Sequence, residues 1–271
     1  MDRTAFITGA SRGIGKAIAL KLAKEGWNIV IAAKSTHETP KLPGTIYSAA
    51  EEVSCYGTKV LPVVCNVALQ DDIDRAVEKS LTEFGHLDAL IHNAGALWWR
   101  DVVDTPMKRF DLVMNVNVRA GFALTAAFLP GMIQRNRGHI IMMSPPVDLA
   151  VIPGHIAYMI SKFGMTMIVH GLAEELARSE VSATALWPKT MIESYATINY
   201  RLGDPSVWRK ADILADATHE ILQRPKETKG QALIDEDFLR SLGNTDFDQY
   251  KCVPEGQPAL LDSAAMRAAK S

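Results

Sequence analysis

Cysteine is scarce, and its placement excludes two classes of protein. Cys55, Cys65 and Cys252 are an odd set with no CxxC spacing, and the histidines are scattered, so the sequence offers neither a disulfide framework nor a zinc site. A reducing compartment fits. An excess of basic charge is also missing: the formal net charge is -2 and lysines and arginines are dispersed. That argues against nucleic acid or an anionic membrane surface as partner, because either needs a basic face. No run approaches the ~18 apolar residues of a membrane span. No signal peptide is expected, since Thr4 to Thr8 already reads as a strand. The final Ala-Ala-Lys-Ser lacks the last leucine of the peroxisomal Ser-Lys-Leu address, so the expected location is cytoplasmic. No linker-like stretch divides the 271 residues, and one domain is expected over 1–271, with its core at about 4–235 and a tail at 238–271.

One more absence concerns ligand choice. Residues 4 to 33 read as strand, glycine-rich turn, helix and strand, with Gly9, Gly13 and Gly15 spaced G-x-x-x-G-x-G between TAFIT and KAIALKLAKEG. Glycine lets backbone approach a pyrophosphate closely, and the first N–H groups of the helix point at its charge. An ordinary tight turn is the plainer reading, but both flanking strands favour nucleotide binding. No acid follows the second strand to hold the ribose hydroxyls of NAD(H). Lys34 stands there instead and Arg12 lies in the turn, two cations suited to a 2′-phosphate. NADP(H) is therefore expected over NAD(H).

The alternation continues with a loop from Ser35 to Leu42, a helix from about Ile46 to Tyr56, the strand KVLPVVCNV and an amphipathic helix from Asp71 to Phe84. Asn66 is placed to touch an adenine ring, and serves equally well as a turn residue. LDALIHNAG then closes on Asn93, Ala94 and Gly95, whose small size leaves room for a cofactor. Helical sequence from Met107 to Arg135 is apolar on several sides, as a deeply buried or partner-shared helix would be. GHIIMMS delivers Ser144, VSATALW ends at Pro188, and QALID completes the sheet. The fold expected is α/β, a Rossmann-like doubly wound parallel sheet of about seven strands with helices on both faces, with ligands beyond the carboxyl ends of the strands.

A long helix expected from Pro153 to Arg178 carries Tyr158 and Lys162 at i and i+4, on one face. A tyrosine is a poor base at neutral pH, with a pKa near ~10, but a neighbouring ammonium stabilises its phenolate. The segment Lys189 to Arg209 reads as a cover over the substrate. Trp98, Trp99, Met143, Trp187 and Tyr195 are the expected apolar lining. The tail beyond Asp237 reads as frayed.

TGASRGIG at 8–15, NAG at 93–95, the VNV containing Asn117 and Tyr158-x-x-x-Lys162 stand in the order and spacing of the classical short-chain dehydrogenase/reductase family, which the chain resembles over about residues 4–235. Within it, TPMKRFDLVMNVN, SPP at 144–146, ALWPKT and LIDED resemble the hydroxysteroid dehydrogenase-like type 2 group. The resemblance implies Tyr158 as general acid/base, Lys162 as the residue that lowers its pKa and binds the nicotinamide ribose, and Asn117 as anchor of a water relay. It implies cofactor contacts from Gly9, Ser11, Arg12, Gly13, Ile14, Gly15, Asn93, Ala94, Gly95 and Pro188.

Two positions depart from the pattern. Pro145 stands where the family places a carbonyl-polarising serine, with Ser144 one residue early, so either Ser144 turns inward to serve or Tyr158 holds the carbonyl. Lys189 follows Pro188 where the family has glycine, and is expected to alter nicotinamide seating or reach toward the cofactor phosphates. The leading expectation is an NADP(H)-dependent oxidoreductase acting on a small hydrophobic alcohol or carbonyl compound, as a homodimer or homotetramer. The alternative is a catalytically impaired NADP(H)-binding sensor or interaction protein.

Overall fold

The computed structural model describes residues 3–39 and 43–261. Seven parallel strands form one sheet, β1 (Thr4–Thr8), β2 (Asn28–Ala33), β3 (Val60–Val64), β4 (Ala89–His92), β5 (His139–Met142), β6 (Ser182–Trp187) and β7 (Ala232–Ile234), in the order β3-β2-β1-β4-β5-β6-β7. β1, β2, β4 and β5 are buried along their whole length, as strands covered by helices on both faces must be. Pro62 lies in β3, an edge strand, where its missing N–H leaves no gap in an interior ladder. The chain winds outward from β1 to β3 and then crosses back to β4, so the strand order reverses beside β1. That reversal opens a crevice at the carboxyl ends of β1 and β4, the place such sheets offer a ligand.

The helices are α1 (Gly13–Lys24), α2 (Ile46–Ser54), α3 (Gln70–Phe84), α4 (Met107–Val113), α5 (Ala120–Gln134), α6 (Ile156–Glu175), α7 (Tyr195–Asn199), α8 (Asp212–Gln223), α9 (Pro225–Thr228) and α10 (Asp235–Ser241). One apolar layer joins α1, α2 and α8 to the sheet, and the other joins α3, α5 and α6 to its opposite face. A π-helical turn, Met114–Arg119, links α4 to α5 and contains Asn117.

Two stretches, Met107–Gln134 and Ile156–Glu175, are long and apolar enough to cross a membrane by length and composition, although neither is an unbroken apolar run. In the fold they pack against the sheet and each other, with 39% and 50% of their most apolar windows buried. Phe122, Ile160 and Met167 stay exposed on them.

The expected frayed tail is a correction. Residues 238–261 complete α10, form a short turn at Asp248–Tyr250 and run back over the fold, bridging Lys251 to Arg209 and Leu260 to Thr190. The Ala-rich end of the tail and part of the Ser35–Leu42 loop lie outside the described residues.

Candidate active site

β1 ends at Thr8 and the chain turns sharply through Gly9, at φ +68°, and Gly13, at φ +53°. A Cβ on Gly15 would lie 2.6 Å from both the Asn93 amide nitrogen and the Gly9 carbonyl, so only glycine fits. No side chain caps α1 and no acid stands in its first turn, which leaves its leading N–H groups to an anion. Ser11 is buried in this turn, and Ile14 packs against the core.

Arg12 leaves the same turn and lies along the chain that follows β2. Its guanidinium donates to Ser35 Oγ at 3.1 Å and to the carbonyls of Pro43 and Gly44. Lys34, exposed, is next to Ser35, so both predicted cations meet at the end of β2. Asn66 follows the end of β3, which pairs with the end of β2, and makes a local turn: its Oδ1 accepts from the Ala68 amide, and its own N–H donates to Asp72.

A chain of hydrogen bonds ties β1 to the next loop. Thr8 Oγ1 accepts from the amides of Asn93 and Ala94 and stands 3.1 Å from His92 Nδ1. The hydroxyl proton is thus left for His92, which places the ring proton on Nε2, 3.0 Å from the Asn117 carbonyl. Burial holds His92 near a pKa of about 4, with the Lys162 charge adding to the effect, so the ring is neutral as this network needs. The sequence reading missed both Thr8 and His92. Their signal was polarity at the ends of two apolar strands, and Thr8 also opens TGASRGIG.

Asn117 clamps the loop after Gly95 to α6. Its Oδ1 accepts from the Ala96 amide, and its Nδ2 donates to the Ala96 carbonyl and to Ser161 Oγ at 2.8 Å. The water relay implied for Asn117 is left with its carbonyl oxygen, which already accepts from His92.

α6 brings Tyr158 and Lys162 to this junction, 8% and 4% exposed. The Lys162 ammonium donates to the Met143 carbonyl at 2.7 Å and lies 5.8 Å from the Tyr158 ring centre. Desolvation pulls Lys162 down to about 7 and pushes the Tyr158 phenol upward. Gly95 faces both Asn117 and Lys162: a Cβ there would stand 3.6 Å from Asn117 Oδ1 and 3.7 Å from Lys162 Nζ. Gly95 is itself exposed, so an open space borders the buried pair. The residues present fit a dinucleotide: the leading N–H groups of α1 would take its phosphates, and Gly95 and Lys162 would border its reactive ring.

Ser144 does not face that space. It is fully buried, 3.0 Å from Thr166 Oγ1 one turn beyond Lys162, and Thr166 also bonds the Pro145 carbonyl. Lys189 is engaged by acids at the start of α10 rather than reaching the glycine turn. Its ammonium pairs with Asp237 at 2.6 Å and Glu236 at 3.7 Å, and its amide donates to Asp235, so it points to the start of α10. Pro188 is half-buried between Trp187 and Lys189.

The expected apolar lining is corrected at Trp98, Tyr195 and Met143. Trp99 packs on Tyr158, with ring centres 6.3 Å apart, inside a cluster with Met159, Met191, Leu202 and Trp208. Trp187 borders the same cluster. Trp98 is instead held by Thr105 and Arg109, and Tyr195 borders a groove of about 710 Å³ with Gly13 and Lys16. Met143 packs in the core, and only its carbonyl meets Lys162. Cys252, Ala259 and Leu261, from the part expected to fray, join the cluster over Tyr158. Tyr200 closes it from the side, its hydroxyl donating to the Leu97 carbonyl at 2.6 Å.

The short chain dehydrogenase family profile matches residues 3–200. Hydroxysteroid dehydrogenase-like protein 2 of Mus musculus is 48% identical over 264 residues, covering 96% of this chain and 53% of that protein. The Homo sapiens protein of the same name is 47% identical and is covered to 62% of its length, so the chain spans little more than half of these relatives. The crystal structure of a short chain dehydrogenase from Mycobacterium thermoresistibile superposes with a TM-score of 0.88 at 38% identity, covering 95% of this chain and 93% of that one. A metagenomic short-chain oxidoreductase in complex with NADP has a TM-score of 0.72 at 26% identity, covering 86% and 95%.

Proposed function

The chain belongs to the short-chain dehydrogenase family, and from that premise we propose an NADP(H)-dependent oxidoreductase that interconverts a secondary alcohol and a ketone on a small hydrophobic substrate. The observation that carries this reading is the meeting of Gly95, Asn117, Lys162 and Tyr158 at the carboxyl edge of β4 and β5, with Lys162 buried beside the tyrosine. Bound there, the nicotinamide supplies or accepts the hydride. Tyr158 gives its phenolic proton to the oxygen of a ketone, or takes the proton of an alcohol. Lys162 stabilises the phenolate and faces the ribose hydroxyls, and Asn117 with His92 and Thr8 fixes the loop that holds Gly95. With Ser144 bonded to Thr166, the carbonyl is polarised by Tyr158 alone.

Arg12 and Lys34 support preference for NADP(H), since both reach the end of β2 where a 2′-phosphate would lie. The apolar cluster over Tyr158 supports a hydrophobic substrate. Apolar side chains left exposed on α5 and α6 support a homodimer or homotetramer. The buried Ser144 favours a second reading, an NADP(H)-binding sensor with weak turnover.

A paired titration with NADPH and NADH, followed by single-turnover reactions on hydrophobic ketones, separates the two readings. NADPH is expected to bind more tightly, and turnover is expected to vanish in Tyr158→Phe. Tight NADPH binding with no ketone reduced would favour the sensor. Preference for NADH would remove the role given to Arg12 and Lys34.

A further inference from the structure

Lys162 must remain charged to act on Tyr158, yet its surroundings oppose the charge. The side chain is 4% exposed, and among the described residues no carboxylate pairs with it. Its hydrogen-bond acceptor is a neutral carbonyl, that of Met143. The other titratable groups that face it are the neutral His92 from the end of β4 and Tyr158 on its own helix. Gly95 and Asn117 bring no charge. From β6 comes Trp187, whose ring centre lies 5.2 Å from the ammonium, nearer than the Tyr158 ring at 5.8 Å.

The face of an indole ring is the strongest of the aromatic cation acceptors, and the attraction grows when the cation is desolvated. We infer that Trp187 is a positioning residue for the proton chemistry: its ring holds the Lys162 ammonium in the charged state and fixes it between Tyr158 and the Met143 carbonyl. β6 delivers the ring at its last residue, so the indole lies at the same sheet edge as the Met143 carbonyl that follows β5. This deepens the reading of Tyr158 and Lys162 as an acid/base pair, and it ascribes a task to a residue otherwise taken as pocket lining.

The test reads Lys162 directly and needs no turnover. Protein labelled with ¹³C at the lysine Cε is titrated by NMR, and the spectrum of Lys162→Met identifies the resonance. Trp187→Leu is expected to lower the Lys162 midpoint by about one pH unit, the size of a desolvated cation–π contact, and Trp187→Phe by less. Replacing tryptophan with fluorinated tryptophans keeps the ring's shape and weakens its face. Stepwise lowering with fluorination in the wild-type chain, absent from Trp187→Phe, is the expected result and stands even if Trp187→Leu fails to fold. An unchanged or raised midpoint in Trp187→Leu overturns the inference, as does no response to fluorination. A lowered midpoint in a protein that reduces no ketone would leave the inference standing and remove the oxidoreductase reading.

Discussion

Ser144 shows how one residue of register redirects a side chain. Pro145 follows it, and the bond to Thr166 holds its oxygen against α6, away from the space beside Gly95. Ser144→Ala is therefore expected to leave turnover far closer to wild type than the ~10²-fold loss typical of a missing oxyanion donor. Its cost should appear as about 1 kcal/mol of stability, one buried neutral hydrogen bond, measured by urea denaturation. A hundredfold loss of turnover would return Ser144 to the catalytic group. The two glycines of the cradle should separate in the same way. Gly15→Ala forces a Cβ to 2.6 Å from Asn93 and Gly9, so it should cost about 1–3 kcal/mol as overpacking. At Gly95 the nearest atoms are 3.6 Å away or more, so Gly95→Ala should fold normally and lose NADPH affinity by about tenfold, near ~1.4 kcal/mol. Normal affinity in a folded Gly95→Ala would place the ring elsewhere.

At the scale of elements, the sequence made the strand-helix alternation legible because each carried its own period, and the helix starting at Ile46 and the strand ending at Trp187 fall where expected. The glycine turn and the pair Tyr158 and Lys162 were legible as well, since their spacing is local, whereas Asn117 came only with the family resemblance. What sequence could not reveal is long-range. The bond from Thr8 to His92 spans 84 residues, and nothing local shows that Lys189 meets the acids of α10, 48 residues on. Residues 238–261, part of the tail that looked frayed for its polarity, are held by ions and bridges. Glu236, at the start of α10, is the hub: it pairs with the buried Arg209 and with Arg240 and Lys189, while Arg209 also bridges to Lys251. Removing one partner of a buried ion pair leaves the other uncompensated, so Glu236→Gln should cost about 3 kcal/mol. Asp237→Asn, at an exposed pair, should cost less than ~1 kcal/mol. Equal losses in urea denaturation would show that the segment is not held through Glu236.

For the whole molecule, three deeply buried groups among the described residues contribute to the slope of stability against pH on the acid side, and the half-buried His219, also held down by desolvation, adds to the two histidines among them. His92 and His139 are held down by desolvation, to about 4 and about 3, whereas an unfolded histidine titrates near ~6.5. Between those values the unfolded chain binds a proton that the folded chain refuses, so each histidine lowers stability as pH falls below ~6.5. Asp235 works the other way. Desolvation raises it to about 6, above the ~3.9 of an unfolded aspartate, so between pH ~3.9 and 6 the folded chain holds the extra proton and gains stability as pH falls. From pH ~6.5 to 6 the histidines act together, and from 6 to 4 Asp235 cancels about one of their protons. Lys162, held at about 7 against ~10.4 when unfolded, extends the same rise of stability with pH from 7 toward 10. Between pH 6 and 4 the urea midpoints of Asp235→Asn should therefore fall more steeply than those of the wild type, by about one proton's slope. Equal slopes in the two proteins would mean that Asp235 is ionised in the fold at pH 5, with the amide of Lys189 and the ions around Glu236 stronger than its burial.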